Sequence, residues 1–153
     1  MATLSPGTAA PFFEGKLAGG QRLSSNDLKG RRFALYFYPK DDTPGCTAQA
    51  CSIRDNFDLL EGSGLEVIGV SADSEASHQK FTEKYQLPFR LIADDDHAIS
   101  EAYGVWSEKN NYGKKYMGIS RTTFIVNKDG VIEHVLRKID TGNAAAQMLA
   151  LIQ

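Results

Sequence analysis

The chain has 153 residues, 42% of them hydrophobic and 24% charged, with a formal net charge of −2. These values predict one globular domain over residues 1–153 that buries roughly 70% of its unfolded surface. They argue against a disordered chain and against a nucleic-acid partner.

The opening segment, MATLSPGTAAPFFEGK, has no basic stretch leading into an apolar run. No later apolar run approaches the roughly 20 residues of a membrane span, so a cytoplasmic protein without membrane association is expected. Short pieces around Phe12–Phe13 and Gln21–Leu23 predict an N-terminal β-hairpin. Arg32–Tyr38 (RFALYFY) is apolar and aromatic on both faces, as a central strand is. From Thr43 to Glu61, Ala50, Ile53, Phe57 and Leu60 recur at helical spacing with Arg54, Asp55 and Asp58 between them, which predicts an amphipathic helix. Leu65–Ser71 reads as a strand, Glu75–Tyr85 as a helix, Phe89–Ala93 as a short strand and His97–Tyr103 as a short helix. Val105–Ser120 is polar and without period, and reads mainly as a long loop. Thr122–Asn127, the turn Lys128-Asp129-Gly130 and Val131–Arg137 form a hairpin, and Asn143–Ile152 a closing helix. The expected architecture is α/β, a mixed central sheet with helices on both faces.

The only two cysteines, Cys46 and Cys51, lie in FYPKDDTPGCTAQAC. Thr43-Pro44-Gly45-Cys46 fits a helix start, with Thr at the N-cap, Pro first, Gly second and Cys third. Unpaired N–H groups and the helix dipole favour a thiolate there. In a plainer reading Thr43 and Pro44 merely cap the helix, and Cys46 is a small hydrophobe. Five positions of regular helix separate Cα atoms by about 8.6 Å and turn them about 140° apart. A disulfide tolerates about 7 Å, so a bridge between these residues requires the first helical turns to unwind. His78, His97 and His134 are too scattered to complete a zinc-ligand spacing with the cysteines, and no metal is expected. All three read as structural or surface groups.

Pro39-x-x-x-Thr43-x-x-Cys46 after an aromatic strand, Cys51 five positions on and Gly118-Ile-Ser-Arg121-Thr-Thr-Phe-Ile-Val together resemble the peroxiredoxins, specifically the bacterioferritin comigratory protein or peroxiredoxin Q group. The resemblance runs from Gly7-Thr-Ala-Ala-Pro11-Phe12 to the C-terminal helix. It implies a thioredoxin-like fold and reduction of hydroperoxides without metal, haem or flavin. By position, Cys46 would be the peroxidatic cysteine that becomes a sulfenic acid, and Cys51 the resolving cysteine of an intramolecular disulfide. Thioredoxin is the reductant implied, and a monomer is expected because both cysteines act within one chain. Thr43 and Arg121 would surround the sulfur and the peroxide oxygens, with Pro39 shielding them from water. Two further readings use the same residues: a redox switch without catalysis, and an inert thioredoxin-like binding domain.

Overall fold

A computed structural model describes residues 4–152; residues 1–3 and 153, the ends of the expected domain, lie outside the described residues. Among the described residues, nine strands and five α-helices follow one another. The first half holds β1 (Glu14–Leu17), β2 (Arg22–Ser24), β3 (Arg32–Phe37), α1 (Pro44–Asp55), α2 (Phe57–Gly62), β4 (Leu65–Ser71) and α3 (Glu75–Tyr85). The second holds β5 (Arg90–Ala93), α4 (Ala98–Ala102), β6 (Trp106–Asn111), β7 (Lys114–Ile119), β8 (Thr122–Val126), β9 (Ile132–Leu136) and α5 (Ala144–Ile152). Seven strands form one sheet in the order β2-β1-β5-β4-β3-β8-β9. It is mixed as expected: β3, β4 and β5 run parallel, while β8 pairs antiparallel with β3.

Alternation along β3 explains its doubly apolar sequence, because each face meets its own core. Ala34 and Tyr36 point to a cluster with Cys46, Ala50 and Ile53 of α1, Leu60 of α2, Phe81 of α3 and Met148 of α5. Phe33, Leu35 and Phe37 point to the opposite cluster, with Ile99 of α4, Tyr103 and Val105. Among the described residues no helix is long and apolar enough to cross a membrane.

Three expectations are corrected. The segment Val105–Ser120 is an antiparallel hairpin, β6 paired with β7 from Trp106↔Ile119 to Asn111↔Lys114. Its strands are largely exposed on both sides, so no apolar alternation marks them. The turn did leave a signal: Tyr112 (φ 53) and Gly113 (φ 82) occupy the two positive-φ positions of a tight hairpin turn. The helix expected over 43–61 breaks at Asn56 (φ −118, ψ 16), whose side-chain amide donates to the Ser52 carbonyl at 2.9 Å, the local competition that makes Asn a poor helix interior residue. The first hairpin strand begins at Glu14 rather than at Phe12–Phe13; the Phe13 N–H is held by the Ser25 hydroxyl instead of a strand partner.

Candidate active site

The parallel strands β3, β4 and β5 all end on one side of the sheet, where open α/β sheets place their ligand crevices. α1 starts there. Thr43 is its N-cap in extended conformation, Pro44 its first residue and Cys46 its third, as the sequence predicts. The Thr43 carbonyl accepts the Thr47 N–H at 2.8 Å. The Thr43 hydroxyl, however, does not cap the helix; it donates to the Lys40 carbonyl at 2.9 Å. The first-turn N–H groups therefore have no side-chain cap, and with its one proton committed the hydroxyl offers only acceptor lone pairs. Cys46 is buried, at 2% exposure.

Antiparallel pairing aligns Phe37 with Thr122, so Arg121, one residue before β8, lies beside the end of β3 and the start of α1. Its Nη2 donates to Cys46 Sγ at 3.3 Å and its Nη1 to Gln49 Oε1 at 2.7 Å. Gln49 stands three positions after Cys46 on the same helix face and is fully buried. One rigid guanidinium fork thus spans the thiol and a side chain that fixes the fork's orientation. Gly45 makes room for it: a Cβ there would sit 3.2 Å from Arg121 Nη2.

The β6–β7 hairpin adds a second cation. The Lys109 ammonium bonds the Ile119 carbonyl, two residues before Arg121. Burial, then the positive charge of Arg121, lowers the Lys109 pKa from its ordinary value, while a thiolate at Cys46 would act in the opposite direction. Beneath the site the Tyr36 phenol is pushed well above its usual range, chiefly by burial, and a thiolate at Cys46 would push it the same way. Tyr36 stays a neutral hydroxyl.

Of the five residues marked from the sequence, the structure brings Cys46, Thr43 and Arg121 to the start of α1. Pro39 is exposed just beyond β3, and Cys51 is a half-buried free thiol further along α1. Sequence reasoning gave Gln49 no role, although its spacing of three from Cys46 was a usable signal. Lys109 was hidden because its hairpin was read as loop. Trp106 stacks on His97 with ring centroids 3.9 Å apart, and Tyr112 is fully exposed at the hairpin tip. Among the described residues, the set of side chains close enough to share a cation is Asp41, Asp73 and His78, within 4.8 Å of one another, and hydrogen bonds among themselves already engage them.

The profile of the AhpC/TSA family matches residues 6–135. Peroxiredoxin Bcp of Bacillus subtilis is 43% identical over 151 residues, covering 99% of this chain and 96% of the relative. Peroxiredoxin Bcp of Escherichia coli is 44% identical over 143 residues, covering 94% and 92%. Among solved structures, Xylella fastidiosa PrxQ superposes with a TM-score of 0.91 at 28% identity, covering 98% of this chain and 96% of the other. Xanthomonas campestris bacterioferritin comigratory protein, solved in a study of its alkyl peroxide reduction activity, gives 0.84 at 36% identity, with 91% and 89% covered. The thioredoxin-like peroxiredoxin fold expected from the resemblance is therefore the fold of the chain, and the chain belongs to the AhpC/TSA family as a peroxiredoxin of the Bcp and peroxiredoxin Q group.

Proposed function

We propose that this peroxiredoxin reduces hydrogen peroxide and organic hydroperoxides at Cys46, that Cys51 resolves the product as an intramolecular disulfide, and that thioredoxin reduces the disulfide. In the first step the Cys46 thiolate attacks one peroxide oxygen. An S–O bond forms, the O–O bond breaks, and the departing oxygen leaves as alkoxide or hydroxide and takes up a proton. In the second step the Cys51 sulfur attacks the Cys46 sulfenic acid and water departs. A thioredoxin dithiol then returns both thiols. We place the reaction in a monomeric, cytoplasmic, one-domain protein.

The observation that carries this reading is the Arg121 fork, donating at 3.3 Å to Cys46 Sγ and locked at 2.7 Å on Gln49. A thiolate alone is insufficient, since lowering a thiol's pKa also lowers its nucleophilicity. Fixed donors beside the sulfur can stabilise charge that develops on the oxygens as the O–O bond lengthens. The Thr43 lone pairs complement Arg121 by accepting the O–H of the incoming hydroperoxide. Pro39, at the start of the same loop, is assigned the shielding of this pocket from water.

Cys46→Ser is expected to abolish peroxide consumption with thioredoxin and its reductase. Cys51→Ser is expected to react once with peroxide and then stall or over-oxidise. Parent-rate consumption by the Cys46 variant would overturn the assignment, and normal thioredoxin-supported turnover of the Cys51 variant would remove its resolving role.

A further inference from the structure

Asp41 and His78 are both buried, at 8% and 1% exposure, and the chemistry above uses neither. Asp41 lies in the loop between β3 and α1, two residues before Thr43. Its Oδ1 accepts the Tyr38 hydroxyl at 2.6 Å, and its Oδ2 accepts the Ser77 hydroxyl at 2.8 Å. The same Oδ2 lies 2.6 Å from Nδ1 of His78. The Asp41 N–H donates to Asp73 Oδ2 at 2.8 Å.

Nε2 of His78 lies 2.9 Å from the Ile92 carbonyl, which can only accept, so Nε2 carries a proton. A neutral ring would then turn a bare Nδ1 toward the carboxylate, setting two acceptors against each other at hydrogen-bond distance. A second proton therefore lies between His78 and Asp41, making a buried pair with no net charge.

We propose that Asp41 and His78 form a positioning pair for the peroxide step, their shared proton tying the Thr43 loop to α3 and β5. The next residue reinforces the tie: Asp42 adopts φ 57, and its carboxylate accepts both Lys84 Nζ and the Tyr85 hydroxyl of α3 at 2.8 Å. The Lys40 carbonyl that orients the Thr43 hydroxyl belongs to the same short segment. A shift at Asp41 therefore moves the Thr43 acceptor and the start of α1 together. The proposal rests on the peroxidase reading above.

Two polar substitutions separate the ring's two contacts. The amide nitrogen of His78→Asn takes the place of Nδ1 and keeps a donor for Asp41. His78→Gln reaches toward the Ile92 carbonyl and leaves Asp41 without that donor. With both variants shown folded by circular dichroism, single-turnover oxidation by hydrogen peroxide is followed in stopped flow. His78→Gln is expected to slow the peroxide step about tenfold and His78→Asn to stay within about threefold of the parent. Closure of the Cys46–Cys51 disulfide is not expected to slow in either, because a loosened loop does not hinder release of the helix start. In the parent, nuclear magnetic resonance is expected to show a strongly deshielded proton between His78 Nδ1 and Asp41, a result that needs no variant to fold. A parent-like rate in His78→Gln, equal slowing by the two substitutions, or absence of the bridging proton overturns the proposal alone. A parent protein no faster with peroxide than a free thiolate overturns the peroxidase reading, and the positioning role with it.

Discussion

Arg121 does two things with one group, and its neighbours decide how well. Lysine would keep the charge but not the fork, so it could not hold Gln49 and Cys46 at once. Arg121→Ala is expected to slow the peroxide step by about 10²–10³, the cost of losing one aimed donor, with Arg121→Lys recovering only a small part. Gly45→Ala gives a subtler check. The added methyl would stand 3.2 Å from Arg121 Nη2 and displace the guanidinium by a few tenths of an ångström. Alanine favours helix by roughly 0.5–1 kcal/mol over glycine, so this variant should lose peroxide reactivity without losing stability. Stopped-flow oxidation beside urea unfolding separates the two effects. Cys46 was legible from its place at a helix start, whereas Thr43 and Arg121 were marked as site residues only through the resemblance that their motifs carry. Gln49 was overlooked because its role exists only through Arg121, 72 positions away, and the Asp41–His78 pair because its residues meet 37 positions apart.

At the scale of elements, the two ends of α1 are held by different partners. Near its C-terminal end Ser52 Oγ accepts the Ala145 N–H of α5 at 3.2 Å, and Arg54 Nη1 donates to the Tyr85 carbonyl at 2.8 Å. Its first turns are held by Arg121 and by the loop through Thr43. Regular helix keeps Cys46 and Cys51 about 8.6 Å apart, so disulfide formation has to unwind the first turns. After oxidation, hydrogen exchange of amides from Cys46 to Ala50 is expected to accelerate strongly, while Ile53 to Asp55 stay protected. Uniform protection along α1 in the bridged protein would contradict this. The break at Asn56 and the β6–β7 hairpin escaped sequence reading for opposite reasons: apolar period continues across Asn56, and no apolar period marks the hairpin.

Across the whole molecule, the frame around α1 is built to stay still. β3 is paired on both edges, by β4 and β8, and buries side chains on both faces. Tyr36 stacks on Tyr38 in the core beneath the site, and Phe37 packs edge-on to Phe124 in the core on the opposite face of the sheet. This is why so much of the fold was legible: doubly apolar strands separated by amphipathic helices admit few arrangements besides a covered mixed sheet. The order of strands was not legible, since β1 and β2 join at the edge beside β5 through contacts distant in sequence. A rigid sheet and one releasable helix end together suit a chain in which peroxide oxidises Cys46 and Cys51 then captures it. The most direct measurement is mass spectrometry of the fully reduced protein titrated with hydrogen peroxide. One equivalent is predicted to convert both thiols into a single Cys46–Cys51 bridge within one chain; Cys51 left as a free thiol beside an over-oxidised Cys46, or two thiols unchanged, would contradict it.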